Sequence, residues 1–221
     1  MIRMRDVTRA YGTPPVMALH GVSLEIARNE FVAITGPSGC GKSTLMHLIG
    51  GLDKPTSGEV FVDSLALHKA EESELTEYRR TRLGIVFQFF NLLPSMSLLE
   101  NVSLPLLLQG ERLAAAEGRA MEWVELVGLK GKERRLIHQL SGGELQRTAI
   151  ARALVHKPAV LLADEPTGNL DSENARQVVE LLQKIASQSL ATMILVTHSE
   201  EVAAAAGRRI RMRDGHITDA T

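Results

Sequence analysis

Apolar positions along the chain fall into short runs whose period switches between two and about 3.6, and the alternation predicts strands and helices in turn. Ile2, Met4 and Val7 open a first strand. Leu19, Val22, Leu24 and Ile26 alternate with Gly21, Ser23 and Glu25 as a second, half-buried one. A turn at Asn29 leads into Phe31-Val32-Ala33-Ile34-Thr35, whose unbroken apolar and β-branched character predicts a buried strand, and Leu45-Met46-His47-Leu48-Ile49 has helical character. Residues 50–58 are dense in turn formers, 59–63 form a short strand, and 70–82 pass from acids to bases as a helix matched to its dipole does. Residues 83–87 read as a strand ending at Gln88. The stretch 89–108 is apolar but irregular, and two readings fit it: packing of a helical subdomain, or a partly exposed docking surface. Residues 113–129 look helical. Ser141 opens a helix running to about His156, closed by Pro158. Residues 159–165 form an apolar strand tipped by two acids, 176–186 an amphipathic helix, and 192–196 a buried strand ending at Thr197-His198. Asp214-Gly215 marks a hairpin turn between 209–212 and 216–217. Strands alternating with helices predict an α/β architecture.

Composition narrows the partners rather than the fold. The chain has 221 residues, 44% of them hydrophobic, enough for a substantial core without staples. Its 25 basic and 26 acidic side chains leave a formal charge of −1, so no global field draws DNA, RNA or anionic lipid. The one cysteine, Cys40, has no partner for a disulfide, which fits a reducing compartment. The first residues lack the apolar core of a leader, and no apolar run approaches the ~20 residues that span a bilayer. Any membrane part is therefore expected from another polypeptide.

The chemistry concentrates in Gly36-Pro37-Ser38-Gly39-Cys40-Gly41-Lys42-Ser43-Thr44, set between a strand and a helix. Glycines at 36, 39 and 41 let inward-facing amides approach a triphosphate, the helix beginning near Lys42 adds its dipole, Lys42 reaches the β and γ phosphates, and the Ser43 hydroxyl suits Mg²⁺. Asp164 ends a strand on the same sheet edge, where it can meet that ion, and Glu165 is free to orient a water on the γ-phosphate. His198, at another strand end, fits either a γ-phosphate contact or a satisfied turn. Tyr11 fits either an adenine-stacking platform or a structural role. Ser141-Gly142-Gly143-Glu144 matches a capping box, and its bare amides also make a second phosphate site.

Together these motifs resemble the nucleotide-binding subunit of ATP-binding-cassette (ABC) transporters over nearly the whole chain, the stretch Leu140-Ser141-Gly142-Gly143-Glu144 most specifically. The resemblance implies a P-loop NTPase core with a RecA-like mixed sheet and flanking helices (1–88 and 158–221), an antiparallel β subdomain, and an inserted α-helical subdomain (89–157). It also implies an Mg-dependent ATPase in which Tyr11 stacks on adenine, Gln88 touches Mg²⁺ with Ser43 and Asp164, Glu165 is the catalytic base, and His198 is the switch histidine. Asn169-Leu170-Asp171 then forms the D-loop. The signature residues Ser141 to Glu144 are implied to act in trans on the ATP of a second copy in a head-to-tail homodimer. A permease is implied to dock near residues 88–99, on the cytoplasmic face of a bacterial inner membrane. Phe87 to Pro94, Glu100-Asn101-Val102 and Ala163 to Asp171 look most like the lipoprotein-release and macrolide-export group. Mechanical work in cell division or wall remodelling is an alternative within the family, and a nucleic-acid-associated ATPase is disfavoured by the missing tandem cassette and basic patch. Asn29 stands where Gly is usual, and Ser199 where Asp is common.

Overall fold

In the computed structural model, which describes residues 1–220, two sheets divide the strands. The N-terminal strands β1 (Ile2–Tyr11) and β2 (Val16–Ile26) pair antiparallel, and they are joined by β4 (Ser57–Val62) and the two-residue β5 (Leu65–Ala66) in the order β2-β1-β4-β5. The second sheet contains β3 (Phe31–Thr35), β6 (Leu83–Val86), β7 (Val160–Asp164), β8 (Thr192–Thr197), β9 (Arg208–Arg213) and β10 (His216–Ala220). Its order is β10-β9-β3-β8-β7-β6, parallel except for the closing β9–β10 hairpin. The β3 and β8 strands are buried at every residue, because helices or strands cover both faces of a parallel sheet.

One face of this sheet, through Val32, Ile34, Leu162, Ile194 and Val196, packs on the antiparallel sheet, α1 (Lys42–Ile49) and α2 (Glu72–Thr81). The other face, through Ala33, Val86, Leu161, Ala163 and Leu195, shares one apolar core with α3 (Leu98–Leu108), α4 (Leu113–Leu126), α5 (Gly142–Leu154), α6 (Ser172–Ser187) and the short α7 (Glu200–Ala203). No helix among the described residues is long and apolar enough to cross a membrane.

The α5 helix is seated on the sheet through Gly84. A methyl group there would lie 2.2 Å from the Ala153 carbonyl oxygen and 3.1 Å from Leu161. The carbonyl is backbone and cannot swing aside, so Gly84→Ala is expected to destabilise the fold by about 1–3 kcal/mol, read as a lower urea midpoint with unchanged slope.

Within the irregular stretch the structure contains a helix that the apolar density conceals. Ser97 caps α3 in a reciprocal box with Glu100, Leu98, Val102 and Leu106 face the core at helical spacing, and Pro105 lies inside the helix. The stretch therefore divides by burial. Leu98, Val102 and Leu106 are core, whereas Phe89 is 72% exposed. Two further differences are small: β1 extends to Tyr11, and α6 starts a turn earlier than its apolar pattern, at the Asp171 cap.

Candidate functional site

The C-terminal ends of β3, β7 and β8 share one sheet edge, and each delivers a reactive segment there. From β3 the chain enters the glycine loop. Gly36 and Gly41 adopt φ of 152° and 103°, and a side chain on either would strike backbone: Met212 O at 2.2 Å from Gly36, Ala18 O at 2.6 Å from Gly41. The loop is thus wedged between the β9–β10 hairpin and β2, with Gly215 N donating to Cys40 O at 3.1 Å. Lys42 is buried, and its Nζ donates to the carbonyls of Gly36 (2.8 Å) and Pro37 (2.9 Å), which curls the loop around its charge. Cys40 is buried within the loop, and Ser38, Gly39 and Ser43 face outward. The first amides of α1 follow at Lys42, Ser43 and Thr44 and have no intrahelical acceptor, as a phosphate site requires.

Asp164 ends β7 half-buried, and its carboxyl is pushed above the usual range by burial and then by the neighbouring Glu165 charge, against the pull of His47, Lys42 and the Ser43 hydroxyl. A carboxylate held this way gains from an added cation. Glu165 sits at φ 44°, a left-handed conformation that costs a non-glycine residue about 1–3 kcal/mol. Two bonds hold it there: Glu165 N donates to Val196 O (2.9 Å), and Gly168 N donates to Glu165 O (3.0 Å). The result aims the side chain at His198, whose Nδ1 lies 2.9 Å from Glu165 Oε1. A cavity of about 460 Å³ runs from these two residues between α6 and α7, past Thr167, Leu170 and Val179. His198 also borders a second cavity against Gly36 and Pro37, so it stands between the loop and the acid.

Gln88 reaches the same edge from β6. Its side-chain amide nitrogen would sit 3.2 Å from a methyl on Gly168, and its backbone carbonyl accepts from Asn169 Nδ2 at 2.8 Å. Asp171 caps α6, taking Asn174 N on Oδ1 (2.9 Å) and Asn174 Nδ2 on Oδ2 (2.7 Å), and these bonds hold its carboxyl below the usual range. The Asn174 amide then occupies the space a Gly143 side chain needs, 1.9 Å from it. Asp171 is thereby keyed to the start of α5.

The segment Ser141 to Glu144 stands apart from the glycine loop. Ser141 and Gly142 are exposed, and among the described residues neither hydrogen bonds to 36–44. The capping box forms as its spacing predicts, with Glu144 Oε2 accepting from Ser141 N at 2.9 Å. Burial acts to raise the Glu144 carboxyl, but its Lys132 partner and the Ser141 amide outweigh that and hold it low.

Several residues in this framework escape pattern reading. Arg152 of α5 donates to Phe90 O (3.0 Å) and Asn91 O (2.7 Å), gripping a turn in which both residues have positive φ. Asn101 is fully buried and ties Leu93, Met96 and Ser97 to α3. Together they join the exposed Phe89 segment to the helix that Ser141 begins. Arg9 and Asp53 bracket Tyr11; the period-two spacing of Arg9 and Tyr11 was the one available signal.

Residues 19–168 match the family model described as ABC transporter. The chain is 43% identical to an uncharacterized ABC transporter ATP-binding protein, MJ0796 of Methanocaldococcus jannaschii, over 98% of this chain and 95% of the relative. It is 49% identical to the lipoprotein-releasing system ATP-binding protein LolD 1 of Chlorobium chlorochromatii, over 89% and 80% of the two chains. Among solved structures, the dimeric MJ0796 cassette superposes with a TM-score of 0.92 at 41% identity, covering 100% of this chain and 98% of that one. A dimeric post-hydrolysis state of MJ0796 bound to ADP and Pi gives the same TM-score at 40% identity, with the same coverage.

Proposed function

The chain belongs to the ABC transporter family and is an ATP-hydrolysing subunit of it, and we propose that it works as a head-to-tail homodimer driving a lipoprotein-release or export permease from the cytoplasmic face of a bacterial inner membrane. The observation that carries this reading is the meeting of Lys42, Asp164, Glu165 and His198 on one sheet edge while Ser141 and Gly142 lie exposed elsewhere. Half of a γ-phosphate shell is present on each of two surfaces, and pairing two copies head to tail joins the halves.

In this reading Tyr11 carries the base, the amides of 36–44 and Lys42 hold the phosphates, and the signature amides of a second copy close over the γ-phosphate. Glu165 accepts a proton from water as the water oxygen bonds to the γ-phosphorus and the bond to the β-phosphate oxygen breaks, releasing ADP and phosphate. His198, held by Glu165, contacts the γ-phosphate. The Ser43 hydroxyl, Asp164 and the Gln88 amide are hard oxygen donors that fit Mg²⁺, and the upward push on Asp164 supports a cation there. No group of three His, Cys, Asp or Glu residues gathers among the described residues, which suits an ion that completes its shell with phosphate and water. Bound Mg²⁺ would neutralise charge on the β and γ phosphates.

The exposed Phe89 and Leu93, braced from behind by Arg152 and Asn101, are the proposed permease contact. A tagged copy expressed in its own host and purified from solubilised membranes is expected to bring an integral membrane protein with it, and Phe89→Asp to release that protein while ATP hydrolysis persists. Recovery of ribosomes or nucleic acid instead would overturn the assignment.

A further inference from the structure

We infer that Arg9 and Asp53 are positioning residues that turn Tyr11 into a purine-selective platform, Arg9 by lying against one face of the phenol ring so that the base takes the other. The inference rests on the reading that Tyr11 receives the base of ATP, and it names what makes that ring selective.

The Arg9 guanidinium carbon lies 4.4 Å from the centre of the Tyr11 ring, within cation–π range. The same guanidinium grips Asp53 with two bonds, Nε to Oδ2 (2.8 Å) and Nη2 to Oδ1 (2.7 Å). Tyr11 Oη donates to Asp53 Oδ2 at 2.7 Å, and Lys54 N donates to Oδ1 at 2.8 Å. Four donors fill the carboxylate's capacity, so ring, cation and acid have one mutual arrangement. Asp53 lies just past α1, where Leu52 N donates to His47 O at 2.9 Å. The ring is thus tied to the far end of the very helix whose first turn faces the phosphates. Tyr11 stays 40% exposed despite these bonds, and with Arg9 over one face of the ring the base is assigned to the other.

The cation has a chemical consequence for that free face. Positive charge on one side of a π system draws electron density away from the other, which lowers its repulsion of an electron-rich purine and does less for a smaller, electron-poor pyrimidine. A merely structural ion pair predicts no dependence on the base at all.

The test compares steady-state hydrolysis of ATP and CTP by the full chain. Arg9→Met keeps the apolar stem over the ring and removes the charge. It is expected to lower the ATP:CTP ratio of kcat/KM by about 3- to 30-fold, through KM for ATP rather than kcat. Freeing Asp53 repels every triphosphate alike, so an equal fall for ATP and CTP overturns the inference, as does an unchanged ratio. Arg9→Lys is expected to restore part of the ratio. Tyr11→Leu separates the two levels of the reading. If it lowers the ratio and Arg9→Met does not, the platform stands and the role of Arg9 fails. If Tyr11→Leu leaves the ratio unchanged, the platform itself is wrong. An unaltered kcat for CTP in each variant establishes that the phosphate loop is folded.

Discussion

Glu165→Gln is expected to lower steady-state ATP turnover by about 10²- to 10⁴-fold while leaving ATP binding intact, the range spanned by a positioned general base. The side chain is held at φ 44° by bonds to Val196 and Gly168 and faces His198 at 2.9 Å, so the amide keeps the same shape and loses only its capacity to take a proton. Without hydrolysis the nucleotide stays between two copies. Size-exclusion chromatography in Mg-ATP should then move the variant to the volume of a dimer, whereas the wild type cycles back to monomer. A variant that turns over at the wild-type rate removes Glu165 from the chemistry. A variant that is inactive but monomeric at every ATP concentration removes the dimer instead, so one preparation tests two parts of the mechanism separately.

The second large effect concerns sharing. Lys42→Ala loses the cation that curls the glycine loop between Gly36 and Pro37, and Ser141→Arg fills the exposed N-terminus of α5. Each alone should be nearly inactive. Mixed in equal amounts, half of randomly paired dimers are heterodimers, and each of those has one pocket with an intact loop from one copy and an intact Ser141 from the other. Roughly one quarter of wild-type turnover should therefore return if the pockets fire independently. Nucleotide binding measured on the same mixture should show one tight site per heterodimer. A mixture that regains neither turnover nor the tight site would exclude completion in trans.

How much of this was legible in the residues varies with the range of the interaction. The glycine loop, the β7 acids, the 141–144 cap and the Asp214-Gly215 hairpin are written in contiguous residues, because backbone conformation and helix capping are decided within a few positions. Asn29, expected to tolerate positive φ in place of glycine, has φ 60°. The α3 helix was concealed because eleven residues rich in leucine and carrying a proline show no polar face to set the phase, although Ser97 and Glu100 spell its cap. Gly84 carries no local signal at all, and the neighbours of Gly143 in the 141–144 cap do not reveal that it must admit Asn174, since what the two glycines make room for, Ala153 and Asn174, lies dozens of residues away.

The sequence by itself determined that this protein belongs to nucleotide chemistry: the glycine loop at 36–44 between strand and helix, the acids that close β7 and the Ser141 cap each need only their neighbours to be recognised. Tertiary structure alone decided how those parts are joined. The parallel sheet brings β3, β7 and β8 to one edge, the Arg9–Tyr11–Asp53 cluster ties Tyr11 to the far end of α1, and Arg152 ties the exposed Phe89 turn to α5. The physical reason is that hydrogen bonds and close packing between distant segments depend on where the chain has folded each partner, to within tenths of an ångström, and no periodicity in the linear order records that distance.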